Sequence, residues 1–292
     1  MGHNLSEYTG VSSDFRYVHL PNHVGHNELK IYCSKLRQAY ARDHTKKWSE
    51  EKYTEWLTRH YLAVKMMMSA TILLTSYRFA ERKNLKIVEP YLLYYACVCC
   101  CKALIYTLPD KDWQRDGLAK MSHQKVISIS IDALARLSAR LADTCRHLLP
   151  QLKAYRELFS YRFPALGFKA LTDHFVDSIL TVKVCGTMCE VAQLNSECFE
   201  ASIRKNVRGD YEPAGDVIRA SFAYPFLNDE IEDDDDYYRI GYFLRKSRKP
   251  SNLLDMATEG MIEDYFGSWT ATAPDADSYD PEASMQIIFP FI

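Results

Sequence analysis

Arg136, Arg140, Asp143 and His147 are the residues of this chain best suited to chemistry. They fall in the stretch SISIDALARLSARLADTCRHLL, Ser128 to Leu149, which reads as one two-faced helix. At about 100° per residue, Leu134, Leu137, Leu141, Cys145 and Leu148 form an apolar stripe, and the four polar residues gather on the opposite side. An imidazole that titrates near neutrality can move protons. A guanidinium can clamp a phosphate and offset charge developing on it. Asp143, one turn before His147, can orient the imidazole or pair with a neighbouring arginine. The combination suits work on a phosphodiester or a nucleotide. The same residue types also make an ordinary solvated helix face.

Four further groups carry metal or phosphate chemistry in principle. Arg245, Lys246, Arg248 and Lys249, beside Tyr237, Tyr238, Tyr242 and Phe243, form a candidate phosphate-binding patch. Asp233 to Asp236 could hold a divalent cation, but consecutive carboxylates repel one another and lack the glycine spacing of a calcium loop, so a solvated loop is expected. His19, His23 and His26 lie close together with no cysteine or carboxylate to complete a metal set, and read as loop histidines. Cys185 and Cys189 stand one turn apart with no matching pair at a zinc-like spacing, so they read as core. No Walker-type glycine loop, dinucleotide fingerprint, GxSxG elbow or HExxH helix occurs, and no metal or cofactor is expected.

The elements that must position these groups are helices. Glycine and proline are scarce at 11 each in 292 residues, and long stretches keep a three-to-four-residue apolar spacing. Short helical signal at Glu28 to Asp43 is followed by the longest, Thr45 to Asn84, and by the apolar EPYLLYYACVCCCKALIYTLP, expected in the middle of a bundle. Lys111 to Lys125 reads as a polar connection. Pro150 should stop the two-faced helix, with helical spacing resuming to Pro164. Residues 168 to about 204 form another long helix, and Ser251 to Trp269 a last one. The chain thus divides into an irregular segment with a short helix (1–44), a helical bundle core (45–205) and a less regular C-terminal extension (206–292). The apolar tail MQIIFPFI should pack on its own core, add to a sheet edge or dock on a partner.

A net charge of -2 exerts no global pull on nucleic acid, so polyanion binding needs a local basic patch. Nine cysteines, an odd number with four crowded at Cys97 and Cys99 to Cys101, suit reduced thiols and a cytoplasmic location. The start MGHNLSEYTG lacks a signal-peptide layout. Leu62 to Tyr77 and Tyr91 to Leu108 contain lysines and read as core helices, so no membrane partner is expected.

In their order, YYACVCCCKALI, the polar loop with SHQKVI, the Leu-rich two-faced helix and LKAYRELFSYRFP resemble the HEPN superfamily over about residues 50 to 165. The resemblance implies an all-α protein with an HEPN-like bundle. It also implies an RNA-targeting effector in a prokaryotic defence or toxin–antitoxin setting. Catalytic members are metal-independent endoribonucleases with Arg, a polar residue and then His after four to six residues, commonly with two protomers or domains facing across the site. Arg140 and His147 have that interval, with Leu141 departing from the small or polar preference. Under the resemblance His147 is general acid or base, Arg140 the phosphate clamp, Asp143 the orienting carboxylate, and Arg136 an extension of the cationic face. RNA is then the ligand and a second copy the partner. The alternative is a non-catalytic protein–protein interaction subunit of a larger complex, supported by many tyrosines and the apolar tail.

Overall fold

The apolar helix EPYLLYYACVCCCKALIY runs from Glu89 to Tyr106 (α4) with Pro90 in its first turn. It packs against Glu50–Arg82 (α3), His123–Ala135 (α5), Ala139–Glu157 (α6) and Ser178–Asn206 (α7). This is a computed structural model, and it describes residues 2–46, 48–171, 176–247, 249–257, 259–270, 275 and 277–291. The described residues are overwhelmingly helical, so the chain is an all-α helical bundle with one short β-hairpin. The stretch Lys86–Tyr106 is long and apolar enough to cross a membrane, yet 61% of its most apolar window is buried inside the protein.

Side-chain pairs give the helix directions. Cys97 meets Cys185 at 3.5 Å and Cys100 meets Cys189 at 3.7 Å, so α4 and α7 run parallel. Tyr94 bonds His123 at 3.0 Å and Ser130 donates to the Cys101 carbonyl at 3.3 Å, so α5 is parallel to α4 as well. Arg156, near the end of α6, lies 5.1 Å over the Tyr94 ring near the start of α4, so α6 is antiparallel. α3 is antiparallel too, because Arg59 near its start donates to the carbonyls of Tyr106 and Leu108 at the far end of α4. Thiols on α4 and α7 fill the seam between them as small hydrophobes, and burial raises the pKa values of Cys101 and Cys189. All nine cysteines are free.

The two-faced stretch is not one helix. α5 ends at Ala135, Arg136 to Ser138 turn with N–H donors on Ala133 and Leu134 carbonyls, and α6 starts after an extended Ser138. Leu134, Leu137 and Leu141 are all buried. The turn lets both halves fold onto α4 as an α-hairpin, which a straight helix could not do. Pro150 does not stop α6, which continues to Glu157 and then a π-helical turn at Leu158–Arg162. A proline inside a helix costs about 3 kcal/mol. Burial of Leu148, Leu149, Leu152 and Tyr155 around it, each worth roughly 1.5–3 kcal/mol, exceeds that.

His26–Lys46 (α2) packs along α7, with Tyr32 donating to Asn195 at 2.9 Å and His44 bonded to Ser202 at 2.9 Å. Before α2 lies the four-residue helix Ser6–Thr9 (α1). The long pattern expected from residue 168 becomes regular helix only at Ser178, where the Asp177 carboxylate caps α7 by accepting the Leu180 N–H. Residues 172–175 lie outside the described part.

Gly215–Phe222 (α8), the antiparallel strands Tyr224–Phe226 (β1) and Asp229–Ile231 (β2), and Asp234–Lys246 (α9) follow. The acidic run is a helix start rather than a solvated loop. The Asp233 side chain caps α9, and Asp236 is fully buried, accepting from Tyr61 at 2.5 Å and from Lys65. Acids suit a helix N-terminus, and α3 supplies the counter-charge. The last expected helix is two, Leu253–Met256 (α10) and Glu259–Gly267 (α11). The tail folds back on the core. Ile288, Phe289 and Phe291 are buried, with Phe289 5.2 Å from Phe15 and Phe291 6.0 Å from Phe266.

Candidate functional site

Arg140 is the second residue of α6, and its Nη2 donates to the Asn22 carbonyl at 2.9 Å. That bond joins the start of α6 to the loop of Pro21 to Gly25, and an open cleft of about 580 Å³ lies between them. His23, Glu28, Ser138 and Arg140 are among its lining residues. The first N–H groups of a helix lack intrahelical partners, so α6 adds a partial positive charge to the arginine at this mouth. Burial first, and then the charges of Arg140 and Lys183, push His23 below the ordinary histidine pKa. Its imidazole is thereby held toward the neutral, proton-accepting form. The Glu28 carboxylate accepts the Gly25 N–H at 2.8 Å and closes the first turn of α2.

A buried acid builds this loop. The Glu190 carboxylate on α7 accepts the backbone N–H groups of Val18, His19 and Leu20 at 2.6–3.0 Å. Burial raises its pKa, and the three N–H donors oppose the rise by favouring the charged form. His19 packs on Gly186, the one position there where the helix offers no side chain. Burial lowers the His19 pKa, with His23 and Lys183 adding to the shift. The three loop histidines therefore do different things: His19 anchors, His23 faces the cleft, and His26 bonds the Tyr8 hydroxyl. Among the described residues no group of three or more His, Cys, Asp or Glu converges on a metal position.

The other residues singled out from sequence are placed as follows. His147 shares a face of α6 with Arg140 but does not line the cleft; its side chain is 77% exposed, with Asp143 3.8 Å away. Asp143 is bonded to Arg146 at 3.0 Å. Arg136 is parted from this group by the turn and pairs with Asp110 at 3.1 Å. Leu141 is buried because it belongs to the core-facing stripe of α6. Arg245 lies 5.5 Å over the Tyr242 ring and Lys246 4.5 Å over the same ring at the end of α9. Lys249 donates to the Val207 carbonyl at 3.1 Å. Arg248 lies outside the described residues. Arg245, Lys246 and Lys249 do not line the Arg140 cleft.

Lys183 and Glu190 are contributors that the sequence did not single out, and His23, read there as a loop histidine, lines the cleft. An acid in the apolar run VKVCGTMCEVAQL was the available signal for Glu190, since such a group must be paired when buried. No family model, curated protein or solved structure matches this chain.

Proposed function

We propose that this is an HEPN-like helical protein that acts on RNA, cleaving it without a metal ion, in a prokaryotic defence or toxin–antitoxin setting. The setting is what the resemblance implies; the chemistry is argued from the cleft. The observation that carries it is the sharing of one open cleft by the Arg140 guanidinium and a His23 imidazole held toward neutrality.

In this reading His23 takes the proton from the RNA 2′-hydroxyl. The freed oxygen attacks phosphorus, the P–O5′ bond breaks, and the departing 5′-oxygen takes a proton from a second acid or from water. The products are a 2′,3′-cyclic phosphate and a 5′-hydroxyl. Arg140 and the start of α6 offset the charge of the crowded phosphorus. His147, two turns further along α6, is the proton carrier that the resemblance assigns; it stands outside the cleft, so in this reading water protonates the leaving oxygen. Arg245 and Lys246, backed by tyrosine, extend the reading to phosphates further along the strand.

The alternative of a purely docking subunit loses one of its supports, because the apolar tail is buried in its own chain. Cleavage of single-stranded RNA in EDTA tests the proposal. His23→Ala and Arg140→Ala should each lower the rate by about 10²–10⁴. Equal cleavage by wild type and both variants removes the assignment. Loss with His147→Ala but not with His23→Ala transfers the proton transfer to α6 alone.

A further inference from the structure

A second hollow, of about 640 Å³, lies between α2, the last turns of α7 and the end of α1. That volume falls within the roughly 300–1,000 Å³ of small-molecule sites. The hollow exists because the helices present small residues to it. Ser34 and Ala41 on α2 and Ala201 and Ser202 on α7 are half-buried or buried there, and Gly10 ends α1. A β-carbon at Gly10 would stand 3.3 Å from Nη1 of Arg37, so the guanidinium lies across that glycine. The longer side chains around the hollow are Arg37 and Gln38 from α2 and Arg204 and Lys205 from α7. Among the described residues no acid and no aromatic ring lines it.

The three cations are not equivalent. Arg204 pairs with the Glu200 carboxylate, and Asp255 lies within the field of Glu200, Arg204 and Asp14 together, so Arg204 is already neutralised. Glu197, one turn before Ala201, is buried and accepts from Gln193 at 3.0 Å. Glu7, Asp43 and Asp210 belong to the same segments without lining the hollow, as do the cations Lys35, Arg42 and Arg208. Arg37 and Lys205, by contrast, make no hydrogen bond or ion pair among the described residues. The carbonyl end of α7 opposes an anion. Two of its acceptors are taken, however: Asn206 Nδ2 donates to the Ser202 carbonyl at 3.0 Å and the Val207 N–H to the Ile203 carbonyl at 3.0 Å. An unpaired guanidinium and an unpaired ammonium beside small neutral residues are complementary to a phosphate group. A nucleobase has no ring to stack on here, whereas the Ser34 hydroxyl and the Gln38 amide suit sugar hydroxyls.

We propose that the hollow between α2 and α7 binds a phosphorylated sugar, free or as the sugar phosphate of a nucleotide. Arg37 and Lys205 hold the phosphate, and Ser34 and Gln38 meet the sugar hydroxyls. The site does not rest on the RNA reading, because none of its residues lines the Arg140 cleft.

Calorimetric titration of the full chain with ribose 5-phosphate, adenosine 5′-monophosphate, ribose and inorganic phosphate tests it. Ribose 5-phosphate should bind, and its binding should weaken as salt rises. Inorganic phosphate should bind about tenfold more weakly or worse, and ribose not at all. The nucleotide should match ribose 5-phosphate if the base is ignored; tenfold tighter binding of the nucleotide names it as the source of the sugar phosphate. Arg37→Gln and Lys205→Gln should each weaken binding by about tenfold or more. Neither side chain holds another residue, so both variants should fold, which circular dichroism checks. Arg78→Gln, an exposed cation on α3, is the control that leaves binding unchanged. No binding of ribose 5-phosphate at millimolar concentration, or equal binding by wild type and both glutamine variants, overturns the proposal. So does a nucleotide that binds where ribose 5-phosphate does not, which shows recognition of the base. Binding lost in Arg140→Ala and kept in Arg37→Gln overturns it too, by moving the ligand to the other cleft.

Discussion

The imidazole of His19 packs against Gly186 with no space for a β-carbon: one placed there would lie 2.6 Å from Cδ2. Gly186→Ala should gain about 1 kcal/mol of helix propensity. It should lose roughly 1–3 kcal/mol to overpacking, because the imidazole must move and carries the loop with it. A lower urea midpoint is the expected result, and the RNA-cleaving reading adds a slower cleavage through the displaced His23. A variant more stable than wild type would mean that His19 moves aside freely and does not anchor the loop.

Glu190→Gln tests the same loop from the other side. One carboxylate now serves three backbone N–H groups, and a neutral amide has a single oxygen to offer them. Hydrogen bonds to a charged group contribute about 1.5–3 kcal/mol each, and part of that is recovered through the amide oxygen, so a net loss of about 2 kcal/mol is expected. Amide hydrogen exchange at Val18, His19 and Leu20 should accelerate more than at α4. Unchanged protection of these three amides would show that the carboxylate does not hold them.

These two contacts also mark what periodicity could and could not reveal. The central place of α4 follows from apolar residues on every side of it, and the all-α class follows from spacing alone. The break at Arg136 to Ser138 leaves no mark in that spacing, because Leu134, Leu137 and Leu141 are buried on both sides of the turn. Pro150 misleads for the opposite reason: a local penalty is visible in sequence, while the burial that outweighs it is tertiary. Arg140 was legible as a candidate. Its bond to Asn22, 118 residues away, was not, and with it went the cleft and the role of His23.

Two buried histidines set an acid limit on stability. Burial pushes His44 down to about 4 and His60 down to about 3, with the Arg59 charge adding to the His60 shift. Both folded values lie below the unfolded value near 6.5. Between those limits the unfolded chain binds more protons, so stability is full above about 6.5 and is lost as pH falls toward about 4 and then about 3. Each residue contributes a slope of up to about 1.4 kcal/mol per pH unit. Burial raises the Glu190 and Glu197 pKa values, which act in the opposite sense above 4.5. They are present in both wild type and His60→Asn, so the comparison cancels them. Urea midpoints should fall less steeply with acid in the variant; parallel curves would place the His60 titration outside the folding equilibrium.

Arg59 joins two helices that a sequence scan treats as neighbours only. Its guanidinium is fully buried, stacked 3.8 Å from the Trp56 ring, with donors on the carbonyls of Tyr106, Leu108 and Lys111 and on Glu55. The three carbonyls close the end of α4 and the turn after it, where backbone acceptors have no helical partner. A lysine has one ammonium and cannot reach this fork of acceptors, so Arg59→Lys should behave more like Arg59→Met than like wild type. Glu55 keeps Lys52 and the Trp113 N–H, which limits the cost of leaving it behind. Loss of the guanidinium should therefore destabilise the fold by about 3 kcal/mol, near the low end for breaking a buried ion pair. Urea denaturation of both variants is the measurement, and a loss below about 1 kcal/mol would mean that water or a shift of the 107–111 turn satisfies the carbonyls equally well.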